Sequence, residues 1–297
     1  MPSVISHYLL AGRMLARLRE THPDFKVNQN ALYWGAQGPD FLYASPEKKL
    51  REAADLLHRG DPYQTLSFIT SYARDTKNDT DKSYALGFLT HYALDSAAHP
   101  FVLYGAGQIA APDAGLTESI AHSLIEVTLD VILLRYERSD LPGSVRLVSC
   151  APKDETVTQH MAVLYPMLAR SAIQKEITLD QVSESTKAYQ KWLKKHTDRT
   201  GMKKDFILRR EKKKRCAPYS SVMYRSITED DTYDYANIAN NEWDDGEGLR
   251  ADSFFDLFEQ ADALSKELAD AFLSGGDAAA LSNGKPFIKE KGENKNG

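Results

Sequence analysis

Three residues that can bind a metal ion recur at four-residue intervals in the segment 87–100. They are His91, Asp95 and His99, and on an α-helix this spacing places the three side chains along one face. Most neighbouring residues are apolar, and a carboxylate between two imidazoles is costly to bury unless something pairs with it. Neutral imidazole and carboxylate are ligands that zinc accepts. The pattern therefore fits a metal site, but it also fits a surface stripe or a hydrogen-bonded His–Asp pair without a metal.

The segment 117–130 repeats this pattern. His122, Glu126 and Asp130 again lie four residues apart, among apolar neighbours that indicate a mostly buried helix. Metal-binding helical bundles place histidine and carboxylate ligands on facing helices. Two inward polar stripes can neutralise each other only across a shared site. The two segments together therefore favour a metal centre more strongly than either one alone.

Two further segments offer candidate ligands. Residues 33–40, with the sequence YWGAQGPD, are typical of a tight, rigid loop rather than a helix. Such a loop could aim the Asp40 carboxylate at a metal, or Asp40 could simply cap the following segment. His7 lies among apolar neighbours in the first turn of a predicted helix, where a lone histidine is usually a hydrogen-bonded core residue.

The elements that must position these side chains are helices, since apolar residues recur mostly at spacings of three and four. Pro46 and Pro62 stand where first helical turns should begin, and Pro100 should close the helix that carries His91. We predict an all-α fold with helices over residues 3–20, 46–59, 62–75, 80–99, 117–138, 154–173, 179–196 and 252–273. We expect one metal-binding domain over residues 1–280, with its ligands within 1–135, and a flexible tail over 281–297.

Composition excludes several classes of protein. A chain of 297 residues can bury one large core, and its formal net charge of −5 argues against nucleic-acid binding. No apolar run approaches the roughly 20 residues that cross a bilayer, and the N-terminal segment does not resemble a secretory signal. We therefore expect a cytoplasmic protein. Because Cys150 and Cys216 are the only cysteines, any metal must be held by His, Asp and Glu.

Two segments of the C-terminal half carry opposite charge. Residues 191–215 contain twelve basic and three acidic side chains, whereas residues 229–247 are rich in aspartate and glutamate. The basic run 212–215 could make a transient contact with phosphates or an anionic membrane surface. A solvated surface is the commoner outcome for such a run, and the two segments could also face each other.

The motifs together resemble those of a known family, the zinc-dependent phospholipases C, which is related in fold and metal site to the single-strand-specific zinc nucleases. The resemblance is carried by the chain start with His7, the loop ending at Asp40, the segment His91 to Pro100, and the pair His122 and Glu126. These motifs lie within residues 1 to about 135. The resemblance implies a compact multi-helix bundle with a multinuclear cleft that holds two or three zinc ions.

The resemblance also implies roles for individual residues. The implied metal ligands are His7, Asp40, His58, His91, Asp95, His99, His122 and Glu126. Asp95 would bridge two metals, and Asp40 would orient the attacking water or accept its proton. Asp130 is predicted to orient His122 from outside the ligand set. Secreted members bind the third zinc through an N-terminal tryptophan, whereas this chain would present Pro2 after loss of Met1.

The implied reaction is hydrolysis of a phosphodiester by a metal-activated water, in a monomeric enzyme whose substrate is a phospholipid. The products would be diacylglycerol and a phosphorylated alcohol. Two alternatives stay open: a phosphodiesterase or nuclease that acts on a soluble or nucleotide substrate, and a non-catalytic helical binding protein stabilised by metal. Aromatic side chains around the cleft would favour base stacking, an apolar rim would favour lipid, and an open coordination position would favour catalysis.

Overall fold

A computed structural model describes residues 4–110, 116–214, 219–224 and 233–288, without the side chains of residues 213 and 214. Within these ranges the chain forms ten α-helices and one antiparallel pair of short strands. The helices are α1 (Val4–Thr21), α2 (Gln29–Ala36), α3 (Lys48–Arg59), α4 (Pro62–Asp75), α5 (Asp79–Ala110), α6 (Glu118–Arg138), α7 (Glu155–Ile173), α8 (Leu179–His196), α9 (Met202–Lys214) and α10 (Phe254–Leu273). The strands are β1 (Trp243–Asp244) and β2 (Leu249–Arg250). The all-α prediction is confirmed.

Helix α5 runs through the middle of this bundle. Its 32 residues correspond to about 48 Å of helix, and it contacts α1, α2, α4, α6 and α10. Every residue from Ser83 to His99 is buried. A helix that is covered on all sides must satisfy its polar side chains within the protein, so His91, Asp95 and His99 do not form a surface stripe.

Two glycines allow α2 and α5 to pack backbone against backbone. A Cβ atom at Gly35 would lie 2.1 Å from the Tyr84 carbonyl oxygen, and one at Gly87 would lie 2.1 Å from the Leu32 carbonyl oxygen. Any larger residue at either position would force the helices apart. This close approach fixes the turn after α2, which carries Asp40, against the part of α5 that carries His91.

Side chains at the helix starts set where the elements begin. Asn28 accepts a hydrogen bond from the Ala31 N–H, which starts α2, and Thr117 accepts one from the Ile120 N–H, which starts α6 just before His122. Pro62 lies in the first turn of α4, as predicted. Helix α3, in contrast, begins at Lys48 rather than at residue 46.

Two predictions about helix ends are wrong. Helix α5 continues through Pro100 to Ala110, because Phe101, Val102 and Ala106 are buried and their packing outweighs the one backbone N–H that proline removes. Residues 33–36 belong to the end of α2 rather than to a loop. Helix α9 lies within the basic segment, where no helix had been delimited.

The last described residues pack on the core. The Phe287 ring is fully buried with its centroid 4.8 Å from that of Tyr92, and the Ile288 N–H donates to the His58 carbonyl at 3.1 Å. Phe287 and Ile288 thus contact the rest of the bundle, and residues 289–297 lie outside the described ranges. The flexible tail over 281–297 stays a prediction.

The structure tests only part of what the sequence predicts about the whole chain. None of the helices in the described ranges combines the length and the apolar character needed to span a bilayer. Cys150 is a buried free thiol, whereas Cys216 lies outside the described residues. The single domain over 1–280, the monomeric state and the cytoplasmic location stay predictions.

Candidate metal centre

Four helices and one turn bring the eight predicted ligands together in one cluster, and all of them except the fully buried His91 line a cleft. Helix α1 contributes His7, the turn after α2 contributes Asp40, and α3 contributes His58, while the remaining ligands come from α5 and α6. Among the described residues, three groups could each hold an ion. They are His7 with His91 and Asp95, Asp40 with His58 and His91, and His99 with His122 and Glu126.

Asp95 lies at the centre of the cluster, within reach of four imidazoles. Its Oδ1 is 3.2 Å from His7 Nε2 and 3.4 Å from His99 Nδ1. Its Oδ2 is 3.2 Å from His91 Nε2 and 3.6 Å from His58 Nε2. Each carboxylate oxygen thus faces a different pair of histidines, which is the arrangement that a carboxylate bridging two cations needs.

Backbone carbonyls fix the ring orientation of His58 and His91. The Nδ1 of His91 lies 3.2 Å from the Ala36 carbonyl oxygen, and the Nδ1 of His58 lies 2.8 Å from that of Ala54. Because a carbonyl only accepts hydrogen bonds, Nδ1 carries the proton in both rings and Nε2 keeps a lone pair. The two Nε2 atoms are 3.3 Å apart. Two facing lone pairs repel each other unless a cation or a proton lies between them, and histidine ligands of metals are oriented in this way.

The turn before Asp40 depends on Gly38. Its φ of +51° lies in the left-handed region, and a Cβ atom there would come within 2.2 Å of the His91 ring. The Tyr165 hydroxyl donates to the Gly38 carbonyl at 2.8 Å and holds the turn in place. Asp40 then begins a short 3₁₀ helix, Asp40–Ala44, that has no side-chain cap. The Asp40 carboxylate instead faces His58, with Oδ1 3.2 Å from Nε2.

His99 connects the two halves of the cluster. Its Nδ1 faces Asp95, whereas its Nε2 is 3.6 Å from Glu126 Oε1. On α6, His122 Nε2 is 3.1 Å from Glu126 Oε2, one helical turn away. Glu126 is almost fully buried while His122 is half-buried, so this group borders on solvent and the Asp95 group lies deeper.

Several buried polar atoms in the cluster lack a hydrogen-bond partner among the described residues. They are His7 Nδ1, Asp95 Oδ2 and Glu126 Oε2. A buried carboxylate oxygen without a donor costs about 1–3 kcal/mol or more, and a bound cation would remove that cost. The donor set of neutral imidazole and carboxylate, without thiolate, is one that zinc accepts. The residues present therefore fit zinc.

The electrostatics of the cluster favour an unprotonated His91 and ionised carboxylates at Asp40 and Asp95. Burial lowers the pKa of His91 to about 3, so this ring is neutral at physiological pH. Burial acts to raise the pKa of Asp40 and of Asp95, but the neighbouring histidines outweigh it and hold both pKa values below the usual value. Both carboxylates are therefore ionised.

Asp130 does not have the predicted role of orienting His122. Its carboxylate accepts hydrogen bonds from the N–H of Ile5 at 3.0 Å, from the N–H and hydroxyl of Ser6 at 2.7 and 2.6 Å, and from the Tyr224 hydroxyl at 2.8 Å. Over the eight residues from His122 to Asp130 the helix face drifts by about 80°, which turns Asp130 towards the start of α1. It anchors the first turn of the helix that carries His7.

The cleft beside the cluster has a volume of about 340 Å³, which is within the range of small-molecule sites. The lining residues outside the predicted ligand set are Tyr43, Asp55, Arg59, Leu103, Ala106, Glu118, Ser119 and Ile288. Sequence reasoning missed Asp55 and Arg59, although both lie within one helical turn of His58 on α3. Pro2, which would stand near the third metal, lies outside the described residues.

Within the described residues, an all-helical bundle carries groups of His, Asp and Glu side chains beside a cleft that could hold metal ions, as metal-binding helical proteins do. The family model of zinc-dependent phospholipase C matches residues 6–195, more than half of the chain, and the chain belongs to this family. The matched range includes all eight predicted ligands and extends beyond the motifs that carried the resemblance. No curated protein and no solved structure gives a significant match.

Proposed function

We propose that this chain is a zinc-dependent hydrolase that cleaves the phosphodiester of a phospholipid in the manner of a phospholipase C. The observation that carries the proposal is the position of the ligand cluster, which is buried on one side and borders an open cleft on the other. Structural zinc sites are closed by four protein ligands, whereas catalytic ones keep a position open to water or substrate. Membership of the family supports a metal-dependent hydrolase that acts on phospholipid.

The eight clustered side chains would hold two or three zinc ions, with the Asp95 carboxylate at their centre. Zinc in this cleft would supply Lewis acidity, which polarises a phosphoryl oxygen and lowers the pKa of water. Asp40 lines the cleft and is the residue that we assign to the attacking water. Because its pKa is lower than usual, it is a weak proton acceptor, and its main task is to orient the water by accepting a hydrogen bond.

Arg59 brings a permanent positive charge to the cleft lining. A guanidinium binds phosphate oxygens through charge-assisted hydrogen bonds, so we assign Arg59 to the phosphate of the substrate. Tyr43 lies beside it, with its hydroxyl donating to Asp55 at 2.8 Å and its ring stacked on His58. These contacts hold the wall of the cleft next to the ligands.

The described lining favours a lipid over a nucleotide. Leu103, Ala106 and Ile288 present apolar surface beside the ligands, and glycerol carbons and acyl chains can pack on such a surface. Tyr43 is the one phenol or indole ring among the described lining residues, and it is already stacked on His58. A nuclease would need aromatic rings on which bases can stack.

The test is an assay of headgroup release. Zinc-loaded wild-type protein should release phosphocholine from short-chain phosphatidylcholine, and Arg59→Ala should reduce the rate by roughly tenfold or more, in line with the usual strength of hydrogen bonds to charged groups. Arg51→Ala on the same helix is the matched control, because its guanidinium donates to the carbonyls of Ser45 and Pro46. Faster cleavage of a single-stranded oligonucleotide would favour the nuclease alternative. Bound zinc without hydrolysis of any phosphodiester would indicate a binding protein.

A further inference from the structure

Helix α9 exposes two large apolar side chains on one face. Met202 is 72% exposed and Phe206 is 60% exposed, and their four-residue spacing places them side by side on the helix. Single exposed apolar residues are ordinary. Two on one face of a short helix, among mostly basic residues, form an apolar patch that calls for a partner.

Exposed cations surround this patch. We define the α9 surface as Met202, Phe206 and the basic residues Lys195, Lys203, Arg209 and Arg210, all of them exposed. The Arg210 guanidinium lies 5.8 Å from the centroid of the Phe206 ring. The Lys203 ammonium donates to the Lys195 carbonyl, which ties the end of α8 to the start of α9. The cations and the apolar side chains thus belong to one continuous surface.

Two of the three acidic residues in this segment are engaged by the chain itself. Glu211 is buried and accepts hydrogen bonds from the N–H and the hydroxyl of Ser220 at 2.9 and 2.7 Å. Asp198 accepts one from the Lys204 N–H at 2.8 Å. The third, Asp205, is exposed on α9. The four basic residues of the α9 surface outnumber it, so the surface keeps a net positive charge. Of the basic run 212–215, only the Lys212 side chain is described.

The acidic segment that could have faced these cations makes its own local contacts. Asp234 accepts hydrogen bonds from the N–H groups of Ile238 and Ala239, both at 2.9 Å. Asp245 accepts them from the N–H groups of Glu247 and Gly248. Residues 229–232 lie outside the described ranges. The described contacts of Asp234 and Asp245 thus stabilise turns within their own segment.

We infer that the α9 surface docks the protein on an anionic phospholipid bilayer. Basic side chains are attracted to acidic headgroups, and neighbouring apolar side chains enter the boundary between headgroups and acyl chains. A nucleic acid would bind the basic side chains through its phosphates, but it has little apolar surface on which the exposed Met202 side chain could pack. The inference rests on the proposed function only in its choice of a phospholipid partner, because docking can be measured without turnover.

The test is co-sedimentation of the full chain with phosphatidylcholine vesicles that contain or lack phosphatidylserine. Wild-type protein should bind the anionic vesicles more tightly, and added salt should weaken this binding. Lys203→Glu with Arg210→Glu should lower the affinity by more than tenfold, since each basic residue near the surface is worth roughly fivefold. Met202→Ser with Phe206→Ser should also weaken binding, but should leave its salt dependence in place.

Matched controls come from other exposed positions. Lys49→Glu with Lys266→Glu reverses the same number of charges on α3 and α10, and Ile238→Ser with Leu249→Ser removes two exposed apolar side chains. Both control variants should bind vesicles like the wild type. Equal affinity for neutral and anionic vesicles, unchanged binding by the α9 variants, or tighter binding to an oligonucleotide than to vesicles would each overturn the inference.

Short-chain phosphatidylcholine below its micelle concentration separates docking from catalysis. The α9 variants should hydrolyse this dissolved substrate like the wild type and lose activity only on vesicles. If no variant or wild-type protein releases a headgroup but vesicle binding still depends on the α9 residues, docking stands and the proposed function fails. If hydrolysis of vesicles is independent of α9, the proposed function stands and the docking surface is wrong.

Discussion

Because Gly38 has no Cβ atom, the turn that carries Asp40 can pack directly against the His91 ring. We predict that Gly38→Ala will lower the free energy of unfolding by about 3 kcal/mol and weaken zinc binding. The left-handed backbone accounts for about 1 kcal/mol of this loss, and the 2.2 Å approach to the His91 ring accounts for the rest. Urea denaturation and competition with a zinc-binding dye measure the two effects.

Gly275→Ala is the matched control for that substitution. Gly275 has a φ of +84° and nothing within 4 Å of its missing Cβ atom, so alanine there meets backbone strain without a clash. It should cost about 1 kcal/mol and leave zinc affinity unchanged. If both variants lose the same stability and neither loses zinc, the close fit between Gly38 and His91 does not matter for the site.

The histidine ligands make zinc binding sensitive to acid. For His7 and His58 burial acts to lower the pKa, but Asp95 and Asp40 outweigh it and raise both pKa values above the ordinary 6.5. In the metal-free protein this gives a stabilisation that is complete below pH 6.5 and is lost as the pH rises through the raised pKa values. Zinc needs the unprotonated rings, so its contribution runs in the opposite direction.

The expected outcome is a zinc-induced rise in melting temperature that increases from about pH 5.5 to 8. Thermal unfolding with and without zinc, in buffers that do not bind the metal, measures this difference. The same rise at every pH, or a larger one in acid, would argue that His7 and His58 are not ligands. Such a result would leave zinc bound by other residues of the cluster, without His7 and His58.

At the scale of elements, α6 anchors the start of α1 through Asp130. In Asp130→Asn an amide NH₂ group would replace one acceptor oxygen and would face the N–H of either Ile5, which donates to Oδ2, or Ser6, which donates to Oδ1. We expect a loss of about 2–3 kcal/mol in unfolding free energy and weaker zinc binding, because His7 follows directly. Denaturation and zinc titration of the purified variant check both.

Tyr224→Phe provides the comparison for Asp130→Asn. It removes a single donor to the same carboxylate and should cost about 1 kcal/mol, without loss of zinc. If Asp130→Asn destabilises the protein but binds zinc like the wild type, Asp130 supports the fold and does not position His7.

The helices could be predicted from the sequence where neighbouring residues alone are enough to determine them. The spacing of His91, Asp95 and His99 places them on one face of any helix, and Pro62 starts α4 through its fixed backbone angle. The prediction that Pro100 ends α5 was wrong because the burial of the residues after it depends on the packing of the whole bundle, which the local sequence does not show. His58 has no His, Asp or Glu four residues away on either side. Only the resemblance indicated it, since its contact with Asp40 arises from the packing of α3 on the turn after α2.

Asp130 shows where a repeated spacing stops being informative. Three residues at intervals of four suggest one shared face, but the drift of the helix over two steps turns the third residue to another neighbour. Which neighbour it meets depends on where α1 packs. Helix α9 was equally hard to delimit, because its charges dominate the pattern and its apolar side chains remain partly in water.

At the scale of the whole molecule, one function can account for three features. They are the deep ligand cluster, the cleft with its apolar lining and the basic surface on α9. The cluster supplies the chemistry, the lining receives the glycerol side of a lipid, and α9 would bring the protein to the bilayer. Each part can be tested separately, since Arg59 is next to His58 on α3 but is not one of the proposed ligands, and the α9 residues lie on another helix. The zinc cluster is the part on which the hydrolase proposal depends.

The most direct test is the zinc content, by elemental analysis, of protein purified without added metal or chelator, for wild type, Asp95→Asn and Asp81→Asn. Asp81 is a matched control because it is also buried on α5 and contacts a histidine, His160, at 2.7 Å, but lies outside the three candidate groups. We predict two or three zinc ions per chain, as the three groups allow, in wild type and Asp81→Asn, and a sharp loss in Asp95→Asn. No zinc in the wild type even after zinc is offered, or equal zinc in Asp95→Asn, would contradict the metal centre.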